Sequence, residues 1–185
     1  MDCKHTSTKR ISRQAHAFTL VETLVAIGIG SMLLVVIFSL SFYSSRSFAA
    51  MANYANLDAA SRNALDRMTR EIRGVNRLTV FSTNQLTFED SSLNTLSYVY
   101  NPVQRTLVRT YMGVSQVLLT ECDRLTFSIF QRNPVGGTYD QYPAANNNPA
   151  LCKLVQVNWT CSRKIFGQKV NTESVQTAKI VIRKQ

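Results

Sequence analysis

Histidine is nearly absent from this 185-residue sequence, which holds only His5 and His16. Nothing after residue 16 can therefore build a His-based nucleophilic site or a His metal centre. Cysteine is scarce as well: Cys3, Cys122, Cys152 and Cys161. No two of them have C-x-x-C spacing, which argues against a zinc or thioredoxin-like site. Proline occurs four times and never between Phe18 and Arg77, so one continuous helix is allowed there. Acidic residues number 11 against 21 basic ones, for a formal net charge of +10. No Gly-rich phosphate loop, nucleophile elbow or metal signature is present. Charge is also missing from one continuous place: the 21 residues from Thr23 to Tyr43 carry none.

What is there follows from that gap. At ~1.5 Å per residue the uncharged run makes about 31 Å of helix, close to a bilayer core. It is longer than the apolar part of a secretory signal. Ala50-Met51-Ala52 fits a small-x-small cleavage pattern but lies well past the run. Lys4, Lys9, Arg10 and Arg13 against Asp2 precede the span, and only Arg46 soon follows it. That asymmetry predicts a cytoplasmic N-terminus and a remainder across the membrane. Glu22 sits at the leading edge of the run. A carboxylate in hydrocarbon costs roughly 2.5–3.5 kcal/mol. A bare anion there calls for a partner or a function.

Ala17-Phe18-Thr19-Leu20-Val21-Glu22, followed by Thr23-Leu24-Val25-Ala26-Ile27, resembles the N-terminal signature of type IV prepilins and pseudopilins. The resemblance implies cleavage between Ala17 and Phe18 by a prepilin peptidase, methylation of the new N-terminus at Phe18, and an assembly role for Glu22. It covers about the first thirty residues after the cut; beyond them only the order of elements is similar. Ala17 stands where the family usually has Gly. Ala is the next smallest side chain, and cleavage is expected to survive. A chain starting at Phe18 would have 168 residues and a net charge of +7, without either histidine or Cys3. Cys122, Cys152 and Cys161 would remain, an odd number in an oxidising compartment. Implied partners are other pilin or pseudopilin subunits, the peptidase and methyltransferase, an inner-membrane assembly platform and lipid. No catalytic residue, cofactor or metal is implied.

The expected organisation has four parts: a basic leader over 1–17, a transmembrane and assembly helix over 18–43, an amphipathic continuation over 44–77, and a β-rich domain over 78–185. Leu65, Met68, Ile72 and Val75 recur at helical spacing and predict one buried stripe. Gly74 and Asn76 are the expected terminators. Gly28 and Gly30 inside the span read either as close-packing points or as a soft segment. Strands are predicted at Leu78–Phe81, Gln85–Phe88, Leu96–Tyr100, Thr106–Met112, Gln116–Thr120, Arg124–Phe130, Leu154–Thr160 and Val175–Arg183. Asn133–Pro149, with three prolines, Gly-Gly and three consecutive asparagines, predicts a long surface loop. The sum is an α+β fold in which an antiparallel sheet covers the helix stripe. Pairing Leu125 with Trp159 and Phe127 with Val157 would turn Cys122 away from Cys161 unless a bulge intervened. A Cys122–Cys161 disulfide is preferred on that condition, with Cys122–Cys152 the alternative.

The reading that unites these features is a minor pilin or pseudopilin in a pilus-like filament, anchored once in the inner membrane with its domain in the periplasm or outside. The missing kink proline and the sizeable β domain favour the minor type. Two other classes compete. Arg62, Arg67, Arg70, Arg73 and Arg77 on the helix, with Arg163, Lys164, Lys169, Lys179, Arg183 and Lys184, would suit DNA binding, as in a DNA-uptake subunit. Glu121, Asp123 and Asp140 are the only candidates for a membrane-tethered enzyme, and no motif accompanies them. A plain single-pass anchored binding domain is the remaining possibility.

Overall fold

A computed structural model describes residues 19–136, 141–164 and 173–183. Leader residues 1–17, Phe18, Asp140, Lys169 and Lys184 lie outside them. The chain falls into two units, Met1–Ser45 and Arg46–Gln185.

Helix α1 covers Leu20–Gly74. Within the first unit its side chains are exposed almost throughout, from Leu20 and Val21 to Phe42 and Tyr43. Three hydroxyl side chains there bond to their own backbone. The hydroxyl of Thr23 donates to the Leu20 carbonyl, Ser31 to Gly28 and Ser39 to Val35, each at 2.8 Å. A hydroxyl satisfied in this way can enter lipid without an orphaned donor. This part of α1 is long and apolar enough to cross a membrane.

In the second unit α1 carries a different stripe. Leu57, Ser61, Ala64, Met68 and Ile72 are buried and continue into Val75. Expected Leu65 is only partly buried. The stripe begins earlier because Ser61 and Ala64 are small enough to bring the helix close to the sheets.

Two antiparallel sheets cover that stripe, where the sequence predicted one. The first is a meander of β1 (Arg77–Ser82), β2 (Gln85–Glu89), β3 (Thr95–Asn101), β4 (Thr106–Tyr111) and β5 (Val114–Leu119), in that order. Its inner face presents Leu78, Leu86, Phe88, Leu96, Tyr98 and Leu107, all buried. The β4–β5 turn is Met112-Gly113, both at positive φ (50° and 80°), the mirror-image turn whose twist suits a hairpin.

The second sheet has the order β7-β6-β8-β9, from β6 (Cys122–Gln131), β7 (Tyr142–Pro143), β8 (Leu154–Ser162) and β9 (Glu173–Val181). Leu125 pairs with Trp159 and Phe127 with Val157, the register the apolar alternation predicts. The chain leaves the first sheet at Glu121, whose φ of 58° turns it away from β5. The described residues of the Asn133–Pro149 stretch also hold more regular structure than the expected loop. Tyr142 and Pro143 pair with Gln131 and Phe130, Ala144 is buried, and two short 3-10 turns cover Ala145–Asn147 and Pro149–Leu151. Side chains of α1 and both sheets form one hydrophobic cluster that includes Met68, Ile72, Phe88, Tyr98 and Trp159.

Candidate functional site

The first turn of α1 is built by Thr19 and Glu22. Thr19 precedes the helix, and its Oγ1 accepts the Glu22 N–H at 3.2 Å. Thr19-Leu20-Val21-Glu22 thus has the Thr-x-x-Glu spacing of a capping box, with Glu22 at the third helical position. Four orphan N–H groups make this end electropositive, which favours a carboxylate. The sequence reading valued Glu22 for its position before lipid and missed Thr19 as its cap; the spacing was the available signal. Helix-end stabilisation of this kind is worth only about 0.3–1 kcal/mol. It falls short of the insertion cost, so Glu22 still requires a counter-charge.

The acids weighed for catalysis are occupied otherwise. Glu121 Oε2 binds Arg163 at 2.7 Å, and Asp123 binds Arg105 at 2.5 Å while the Ser162 hydroxyl also donates to it. No cluster of metal-ligating side chains occurs among the described residues.

Of the five arginines expected on the helix, Arg77 instead begins β1 because α1 ends at Gly74; Arg62 pairs with Asp58, Arg67 with Glu71 and Arg77 with Glu89. Among the described residues, Arg70 and Arg73 have no carboxylate partner. A row of five cations in the sequence is therefore not a row of five free charges on the surface.

Glu71 is the centre of the strongest polar cluster. It accepts from Arg109 Nε at 2.8 Å, Tyr98 Oη at 2.5 Å and Arg67 Nε at 3.1 Å. Burial pushes its carboxyl up, but the bonds from Arg109, Tyr98 and Arg67 outweigh that and hold it below the usual range. Burial and the bond to Glu71 raise the Tyr98 phenol. The cluster joins α1 to β3 and β4 and reads as structural.

Residues 12–38 match the family model described as the prokaryotic N-terminal methylation motif. The chain carries the signature of type IV prepilins and pseudopilins. No curated protein and no solved structure matched it. The motif spans the Ala17–Phe18 junction, Glu22 and most of the uncharged run. Together with a helix able to cross a membrane and an antiparallel domain behind it, it supports a pilin-like subunit anchored once in the inner membrane. The α+β, pilin-like architecture agrees with the expected fold class.

Proposed function

We propose that the protein is a minor pilin or pseudopilin that enters a pilus-like filament, at its start or tip, after removal of residues 1–17 and methylation of Phe18. One observation carries this reading: a single carboxylate, Glu22, stands in the first turn of α1 inside the matched motif, directly before 21 uncharged residues. Cleavage before Phe18 creates a basic amine about one helical turn from Glu22. In the filament a neighbour's amine would neutralise Glu22 and remove most of the penalty of holding it in an apolar core. Assembly is then driven by pairing a charge that lipid alone leaves exposed. The leader stays cytoplasmic, and the domain from residue 78 lies in the periplasm or on the surface.

Glu22→Ala tests this. N-terminal sequencing should still find methylated Phe18, showing that processing is intact. The amount of protein in sheared filaments should fall at least ~10-fold, the equivalent of about 1.4 kcal/mol per subunit. A processed variant that enters filaments at the normal level would refute the role of Glu22.

A further inference from the structure

Cys122, Cys152 and Cys161 are all free, buried thiols in the structure. Two of them lie opposite each other. Cys122 begins β6 and is the register partner of Cys161 on β8. The obstacle read from the alternation is removed by a bulge: Cys122 pairs with Cys161 but Arg124 pairs with Thr160, so Asp123 is the extra residue. The Ser162 N–H donates to the Glu121 carbonyl at 3.0 Å, one residue outside the pair on each strand. The Cys122 N–H turns away to the Arg105 carbonyl at 2.9 Å. This pattern marks a non-hydrogen-bonded pair, the narrow kind with Cα atoms about 4.5 Å apart. That spacing lies inside the disulfide range of about 4.4–6.8 Å.

Cys152 has no such geometry. It lies before β8, with its thiol directed to the Leu154 carbonyl. Leu154 and Cys161 stand at opposite ends of the strand, seven residues or about 23 Å apart. No disulfide reaches across that distance.

We infer that Cys122 and Cys161 form a disulfide when the domain folds in an oxidising compartment, and that Cys152 remains a thiol. The bond would fix the start of β6 to the end of β8. Arg105 already gathers groups there, donating to the Glu121 and Ser162 carbonyls and pairing with Asp123. The oxidant is a low-molecular-weight or protein disulfide. The Cys161 thiolate attacks it and expels one thiolate. Cys122 then loses its proton and attacks the Cys161 sulfur of the mixed disulfide, expelling the second. Two electrons pass to the oxidant, and the two thiol protons end on its sulfurs.

The test uses the full chain, reduced, unfolded and refolded in detergent in a glutathione redox buffer, then quenched, alkylated without reductant and mapped by mass spectrometry. The expected result is a linked pair of peptides carrying Cys122 and Cys161, with Cys152 alkylated. Alkylation of both Cys122 and Cys161, any disulfide that includes Cys152, or a link from Cys3 to Cys122 or Cys161 would overturn the inference. A Cys152→Ser chain should give the same linked pair; loss of the link in that variant would equally count against it. Because glutathione supplies the oxidant in the tube, the outcome is independent of Glu22 and of the route across the membrane.

Discussion

At the scale of single residues, polar side chains hold this fold where apolar ones cannot reach. Glu71 is 22% exposed and Arg109 11%, and each is the other's main counter-charge. Breaking such a pair from one side leaves a half-buried charge without its partner, at a cost of about 3 kcal/mol. Glu71→Ala should lower the stability of the domain by that amount in thermal unfolding. Glu71→Leu with Arg109→Met should cost less than the single change, since no charge is stranded. The pH dependence has a definite sign. The Glu71 carboxyl is held below its ordinary value, so its contribution is present above the unfolded value and is lost as pH falls through the folded one. Asp90, held at about 2 mainly by the Tyr111 hydroxyl, acts in the same direction. Melts taken downward from neutral pH should show Glu71→Gln losing less stability on acidification than the parent. A parallel loss in both chains would mean that other carboxylates dominate. None of this was legible in the sequence, where Glu71 and Arg109 lie on different elements and nothing in either pattern points to the other.

At the scale of elements, the sequence was most readable where periodicity had a single interpretation. All eight predicted strands form, with bounds shifted by at most two residues; alternation reports most directly those, such as β3, β6 and β8, that bury one face in the core. The helix runs unbroken from Leu20 to Gly74, the expected terminator, and so stops three residues before the expected bound at 77. Legibility stopped where a backbone choice decided the outcome. Glu121 adopts a left-handed conformation that its residue type does not advertise, and the one expected sheet is two, parting between β5 and β6. Strand β7 has only Tyr142 and Pro143, too few for any pattern. The bulge at Asp123 could be named as a requirement but not located. Closing a roughly 40-residue loop through Cys122 and Cys161 would contribute about 4 kcal/mol, so a reductant should lower the melting temperature of the oxidised chain. In the apolar part of α1, Gly28 and Gly30 separate the two remaining interpretations. A Cβ added at either meets nothing within 4 Å in the single chain. Gly28→Ala with Gly30→Ala should therefore leave the subunit folded and processed. If the glycines serve close approach between neighbouring helices, filament incorporation falls several-fold. Unchanged incorporation would leave helix softness without support too, since Ala stiffens both positions.

At the scale of the whole molecule, burial divides the chain as contact does. Every member of the hydrophobic cluster lies between Leu57 and Ile182, within the unit Arg46–Gln185. That unit holds its own core, its ion pairs and both sheets, so it needs nothing from residues 1–45 to fold. A chain beginning at Arg46 should be soluble without detergent and cooperatively folded, with a melting temperature within a few degrees of the full-length domain. Sedimentation should find it monomeric, since the exposed apolar run of α1 has been removed. The same fragment addresses nucleic acid. It has 17 basic and 9 acidic residues, a net charge of +8. Phosphate binding, however, depends on cations free to release counterions rather than on net charge. Arg62, Arg67 and Arg77, three of the five arginines in the row, already hold carboxylates, so the fragment should fail to retard duplex DNA even at low salt. Retardation that falls steeply with added salt would show that the C-terminal cations suffice and would restore the DNA-uptake reading. Aggregation of the fragment, in turn, would mean that its core depends on residues before Arg46, and that anchor and domain are one folding unit.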